Sequence, residues 1–197
     1  MDSSRTSRTG EFQQSHLPPS TFALVPVMGA VFVAFLVIGM ALPVLPLHVH
    51  RGLGLGTFVV GLVAGSQFAA AIASRVGAGR HSDARGPKQA VVTGLMIAAG
   101  AGLLYFLSLD FVAAPVISVT ILLLGRTLLG VGESFIMVGA QSWGLSILGV
   151  QHTSKTLAWI GSAMFGAFAA GAPIGTILYG RYGFNAIALA TSIKKDL

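Results

Sequence analysis

From residue 22 to residue 49 the chain contains no Asp, Glu, Lys or Arg. A helix needs about 20 apolar residues to cross roughly 30 Å of hydrocarbon, so a run of this length predicts a membrane span. Four further apolar runs follow at about 58–76, 90–109, 112–139 and 157–178. None shows the two-residue alternation of a barrel strand, and in lipid a helix satisfies its own backbone donors and acceptors. The expected fold class is therefore all-α, a polytopic membrane helical bundle. A last run, 186–193, gives way to Lys194, Lys195 and Asp196 and is too short to cross. It is read as a sixth helix that starts and does not finish, so the bundle is expected to be truncated. The chain divides into a polar tail at 1–21, the bundle at 22–193 and a polar end at 194–197.

Composition supports lipid as the solvent. Hydrophobic residues make up 54% and charged residues 9%, against about 25% charged in an ordinary soluble domain. A signal peptide would have a shorter apolar region and a small-residue cleavage site, so the first run is read as an uncleaved span. The formal net charge of +6 comes without a dense Lys/Arg tract or an aromatic platform among basic residues, so nucleic acid is not an expected partner. The basic residues sort by side instead. Arg5, Arg8, Arg80, Arg85, Lys88 and Lys155 fall in the tail and the even-numbered connections, and only Arg51 and Arg181 in the odd ones. Positive flanks stay on the cytoplasmic side, which predicts a cytoplasmic amino terminus. With no Cys and no HExxH spacing, neither a metal nor a cofactor is expected, and no nucleophile–base constellation points to an enzyme.

Three segments hold most of the candidate functional residues. The connection after the second run reads GAGRHSDARGPK, and Gly79, Asp83, Arg85, Gly86 and Lys88 are read as a short polar turn. Glycine permits the turn, and Asp83, just ahead of the third helix, is placed to cap free N–H groups. The fourth run reads LLLGRTLLGVGES and puts Arg126 and Glu133 inside an apolar helix. Ionisable groups there are costly unless they face protein or water. Seven residues are nearly two turns, so both side chains project from one face, which should point into the bundle. The two could simply neutralise each other and fix packing. The fifth run reads GSAMFGAFAAGAPIG: Ala163, Ala167, Gly171 and Gly175 form one small-residue ridge, and Ser162, Gly166 and Ala170 a second, with Pro173 expected to bend the helix. Gln67 in the second run and Gln141 near the end of the fourth helix could line a solute path.

GxxxDxxGxK between the second and third helices resembles the signature loop of the major facilitator superfamily, although Ala84 stands where that family usually has a basic residue. RxxxGxG in the fourth helix, from Arg126, resembles the family motif associated with proton coupling, and the Gly- and Pro-rich fifth helix is similar to that of its antiporters. The phrases LPVLPLHV, GESFIMVGAQSWGL and AGAPIG look like the small bacterial YfcJ- and YhhS-like efflux group. The resemblance implies the amino-terminal six-helix half of a secondary transporter in a bacterial inner membrane, an antiporter exporting a small organic solute such as a sugar or drug. It implies a gating role for Gly79, Asp83, Arg85, Gly86 and Lys88 and proton coupling at Arg126. For Glu133, the neighbouring positive charge of Arg126 competes with the proton it would carry. The implied partners are lipid, solute, protons, and a missing carboxy-terminal half or a second copy. A membrane interaction protein that binds through its small-residue ridges is the competing expectation.

Overall fold

The computed structural model describes residues 21–183 of the chain, and the expected partial helix at 186–193 lies outside them. Within them are five helices long and apolar enough to cross a membrane. A short 3-10 turn, Thr21–Leu24, leads into α1, Val25–Leu47, which ends in a π-helical turn, His48–Gly52. Then come α2, Thr57–Arg85, α3, Pro87–Leu109, α4, Pro115–Leu148, a 3-10 turn at Val150–His152, and α5, Thr153–Tyr182. No strand occurs among the described residues. The chain is an all-α membrane bundle.

The outer surface confirms what the helices are built to face. Phe58, Met96 and Val116 are 82%, 71% and 72% exposed. A water-soluble protein does not scatter large apolar side chains over a whole surface in this way, whereas lipid accepts them. Hydroxyls on these helices turn back to their own backbone: Ser74 donates to the Ala70 carbonyl at 2.7 Å, Thr127 to Leu123 at 2.9 Å and Thr176 to Ala172 at 2.9 Å. None of those groups is then left unsatisfied in hydrocarbon.

Packing divides the bundle into two sets. The helix α4 lies along α3 and α2, while α1 pairs with α5. Small residues set both seams. A methyl added at Gly130 of α4 would sit 2.1 Å from the Gln67 carbonyl oxygen of α2, and one at Gly175 of α5 would sit 2.2 Å from the Met40 carbonyl oxygen of α1. Backbones this close leave no room for a side chain. The first small-residue ridge of α5, Ala163, Ala167, Gly171 and Gly175, is buried against α1. The second is not: Ser162 and Gly166 are exposed, and a methyl at Gly166 would find only the Phe32 ring, at 4.0 Å. One face of α5 reaches α1, and Gly166 lies off it. Pro173 sits on the exposed side, where α5 continues past it to Tyr182.

The connection between α2 and α3 also departs from the expectation. It is not a polar turn of several residues: α2 continues through Gly79, Asp83 and Arg85, and the whole reversal is made at Gly86. Gly86 has φ +93° and ψ 150°, a conformation open to glycine, and Pro87 follows as the first residue of α3. Pro fits that position because its fixed φ is helical and the first turn has spare N–H groups. Asp83 therefore lies in the last turn of α2 and caps nothing on α3, whose N-cap is Gly86 without a side-chain hydrogen bond.

Candidate functional site in the bundle core

Arg126 is the largest fully buried side chain in the described part of the bundle, at 1% exposure. The sequence puts it there by spacing. On α4, Gly125 lies against the Tyr105 ring of α3, while Gly130 lies against the α2 backbone at Gln67. Arg126 is held between these two crossings. Tyr105 of α3, itself buried, interacts with the guanidinium through its hydroxyl. Nε and Nη1 of Arg126 have no hydrogen-bond acceptor among the described residues. A buried guanidinium left short of acceptors is energetically costly, so this group is set to meet something further.

Glu133 lies on the same stripe, half-buried. It does not neutralise Arg126 by direct contact: no ion pair joins the two among the described residues, and its Oε2 accepts a 2.7 Å hydrogen bond from Nε2 of Gln67 on α2. The positive charges that act on Glu133 through space are Arg126 on its own helix and Arg75 on α2. Gln67 is 1% exposed, and its Oε1 has no partner among the described residues. Ser134, also buried, has an unpartnered Oγ. The core of the α2–α3–α4 set is thus a polar cluster in an apolar bundle, with more hydrogen-bonding capacity than it uses internally.

The remaining expected residues occupy other places. Gln141 is half-buried within α4, which runs on to Leu148. Eight residues separate it from Glu133, a rise of about 12 Å, so it does not belong to the cluster. Gly79, Asp83, Arg85, Gly86 and Lys88 sit together at the end of the bundle where α2 turns into α3. Asp83, Arg85 and Lys88 are exposed there. The Lys88 ammonium lies 5.9 Å from the centre of the Trp143 ring of α4, a cation–π contact that ties the start of α3 to α4. His81 adds a contact that residue spacing alone did not single out. Its Nε2 lies 3.3 Å from Thr93 Oγ1 of α3, and its ring packs edge-on to Phe135 of α4. Tyr105 was likewise not singled out, and one tyrosine within an apolar run is the only sequence signal it offers.

Membrane-length helices around a buried, incompletely satisfied charge cluster define a polytopic membrane protein with a polar interior. Residues 27–193 match the sequence model of the Major Facilitator Superfamily, and the chain belongs to that family of membrane transporters. It is similar to an uncharacterized MFS-type transporter of Salmonella typhimurium, 40% identical over 170 residues that cover 86% of this chain and 44% of the relative. It is also similar to the uncharacterized MFS-type transporter YhhS of Escherichia coli, 41% identical over 158 residues, 80% of this chain and 39% of the relative. A third, an uncharacterized MFS-type transporter of Burkholderia pseudomallei, is 38% identical over 159 residues, 81% of this chain and 39% of the relative. The chain spans about two-fifths of the length of these relatives.

Proposed function

We propose that this chain forms the amino-terminal half of a proton-coupled secondary transporter that exports a small organic solute, such as a sugar or drug, across a bacterial inner membrane. The observation that carries the reading is the buried Arg126 guanidinium with Nε and Nη1 unpartnered, nearly two turns from a carboxylate that is engaged elsewhere. A buried fixed positive charge and a titratable acid that are close without being paired can exchange partners as proton and solute come and go. Arg126 is the fixed charge and Glu133 the proton carrier. Gln67 and Gln141 face the solute path, and the segment Gly79, Asp83, Arg85, Gly86 and Lys88 forms the cytoplasmic gate.

In this reading the tail, 1–21, lies in the cytoplasm, and the bundle of 22–193 works against a second bundle, supplied by a carboxy-terminal half or a second copy. The relatives' greater length leaves room for such a half. Transport follows from rocking of one bundle against the other around a midplane site.

The test grafts this chain in place of the matching segment of the Escherichia coli relative and follows proton movement with a pH-sensitive dye on addition of a panel of sugars and drugs. Arg126→Ala is expected to abolish solute-dependent proton movement while expression stays near the unsubstituted level. Proton movement unchanged by Arg126→Ala would overturn the role of Arg126, and no solute-dependent proton movement in the unsubstituted graft would overturn the reading and favour a membrane interaction protein.

A further inference from the structure

The Gln67–Glu133 contact has an asymmetry that the proposed transport reading leaves unused. Gln67 donates from Nε2 to Glu133 Oε2 at 2.7 Å, while its own Oε1 is buried and has no partner. An ionised carboxylate can only accept, so it can never satisfy that amide oxygen. A neutral carboxylic acid can, because its O–H donates.

The backbone beside the contact is fixed. The Gln67 carbonyl is seated against Gly130, one turn before Glu133, at a distance that leaves no space for a methyl. The height of Gln67 relative to α4 is therefore set, and only side-chain torsions remain to change the contact. The other charged or titratable groups that bear on it are Arg126 of α4 and Arg75 of α2, both fixed cations, and Tyr105 of α3, which is turned to Arg126.

We propose that Gln67 is a positioning residue that reads the charge on Glu133, giving one hydrogen bond to the carboxylate and closing a two-bond amide–acid pair when the carboxyl is protonated. In the second state Nε2–H still donates to the Glu133 carbonyl oxygen, and the new O–H donates to Gln67 Oε1. Hydronium from the acidified solvent that reaches half-buried Glu133 delivers the proton and leaves as water, and the only covalent bond formed in the protein is the carboxyl O–H. The helices α2 and α4 are then joined by two hydrogen bonds instead of one. Because α2 runs unbroken from Gln67 to Arg85, the change at Glu133 is felt by the helix that bears Gly79, Asp83 and Arg85, about 24 Å along its axis at Asp83. The inference rests on the reading of Glu133 as the proton carrier.

The experiment is infrared difference spectroscopy of the full chain in lipid, recorded between alkaline and acidic buffer. The carboxylic-acid carbonyl band that vanishes in Glu133→Gln is the band of Glu133. In Gln67→Met and Gln67→Leu this band is expected to move to higher wavenumber, because its carbonyl loses the Nε2–H donor. The exchange variant Gln67→Glu with Glu133→Gln is expected to return it to the original position. A measurement without substitution at either site uses side-chain carbonyl-labelled glutamine: acidification must move one glutamine carbonyl band to lower wavenumber. If the Glu133 band is present but does not respond to Gln67, or if no glutamine band moves, the role of Gln67 is overturned and the proton-carrier reading stands. If Glu133→Gln removes no acid band, both fall.

Discussion

Gly130→Ala tests how tightly the structure couples packing to the polar cluster. The added methyl would lie 2.1 Å from the Gln67 carbonyl oxygen and 3.1 Å from the Ala70 side chain. For the oxygen to reach even a compressed contact, α2 must retreat by about 1 Å. A retreat of that size carries the 2.7 Å Gln67–Glu133 bond to roughly 3.7 Å, outside hydrogen-bonding range. Overpacking of this kind costs about 1–3 kcal/mol, and loss of a hydrogen bond to a charged group adds about 1.5–3 kcal/mol. The control is Gly65→Ala on the outer face of α2, where no atom lies within 4 Å of the added methyl. That change gains about 0.5–1 kcal/mol by replacing a mid-helix glycine. Heating in detergent, followed by the fraction that remains monodisperse on size exclusion, should show Gly130→Ala failing well before the parent and Gly65→Ala at or above it. Equal behaviour of the two variants would refute the close α2–α4 crossing and the cluster geometry built on it.

Two further outcomes are expected. Gly86→Ala should destabilise by about 1–3 kcal/mol, because φ +93° with ψ 150° is a conformation essentially confined to glycine. Gly79→Ala, in mid-helix with nothing within 4 Å, should be neutral or stabilising by about 0.5–1 kcal/mol; the same thermal assay reads both, and equal losses would restore a multi-residue loop. The chain has no native Cys, so single cysteines report sidedness directly. In the cytoplasmic-amino-terminus reading, Asp110→Cys reacts with an impermeant maleimide in intact cells and Asp83→Cys only after the cells are opened. The reverse pattern would invert the topology.

The membrane fold was legible because lipid imposes a coarse rule. Length without charge predicts a helix, and 22–49 alone is enough to invoke it. Arg126 was legible for a related reason, since a charge in such a run must be buried or wet. At Gly79 to Lys88 polar composition suggests a loop, whereas a helix leaving the hydrocarbon stays helical and becomes polar, as α2 does through Arg85. Only the positive φ of Gly86 marks the true turn. The ridge through Gly166 stays off the α1 seam because four-residue spacing shows that a face is smooth without showing which face meets a neighbour. The partner of Glu133 lay beyond residue spacing for the same reason. Arg126 shares its helix face, but Gln67, 66 positions away in sequence, is brought to it by the crossing at Gly130.

The most direct measurement is solute flux in liposomes, with the chain grafted into the Escherichia coli relative and a pH gradient imposed or collapsed. Flux should rise with the gradient and vanish when it is collapsed by a protonophore, while Glu133→Gln should leave a residual flux that ignores the gradient. Flux indifferent to the gradient in the unsubstituted protein, or equally gradient-driven in Glu133→Gln, would contradict proton coupling through the buried face of α4.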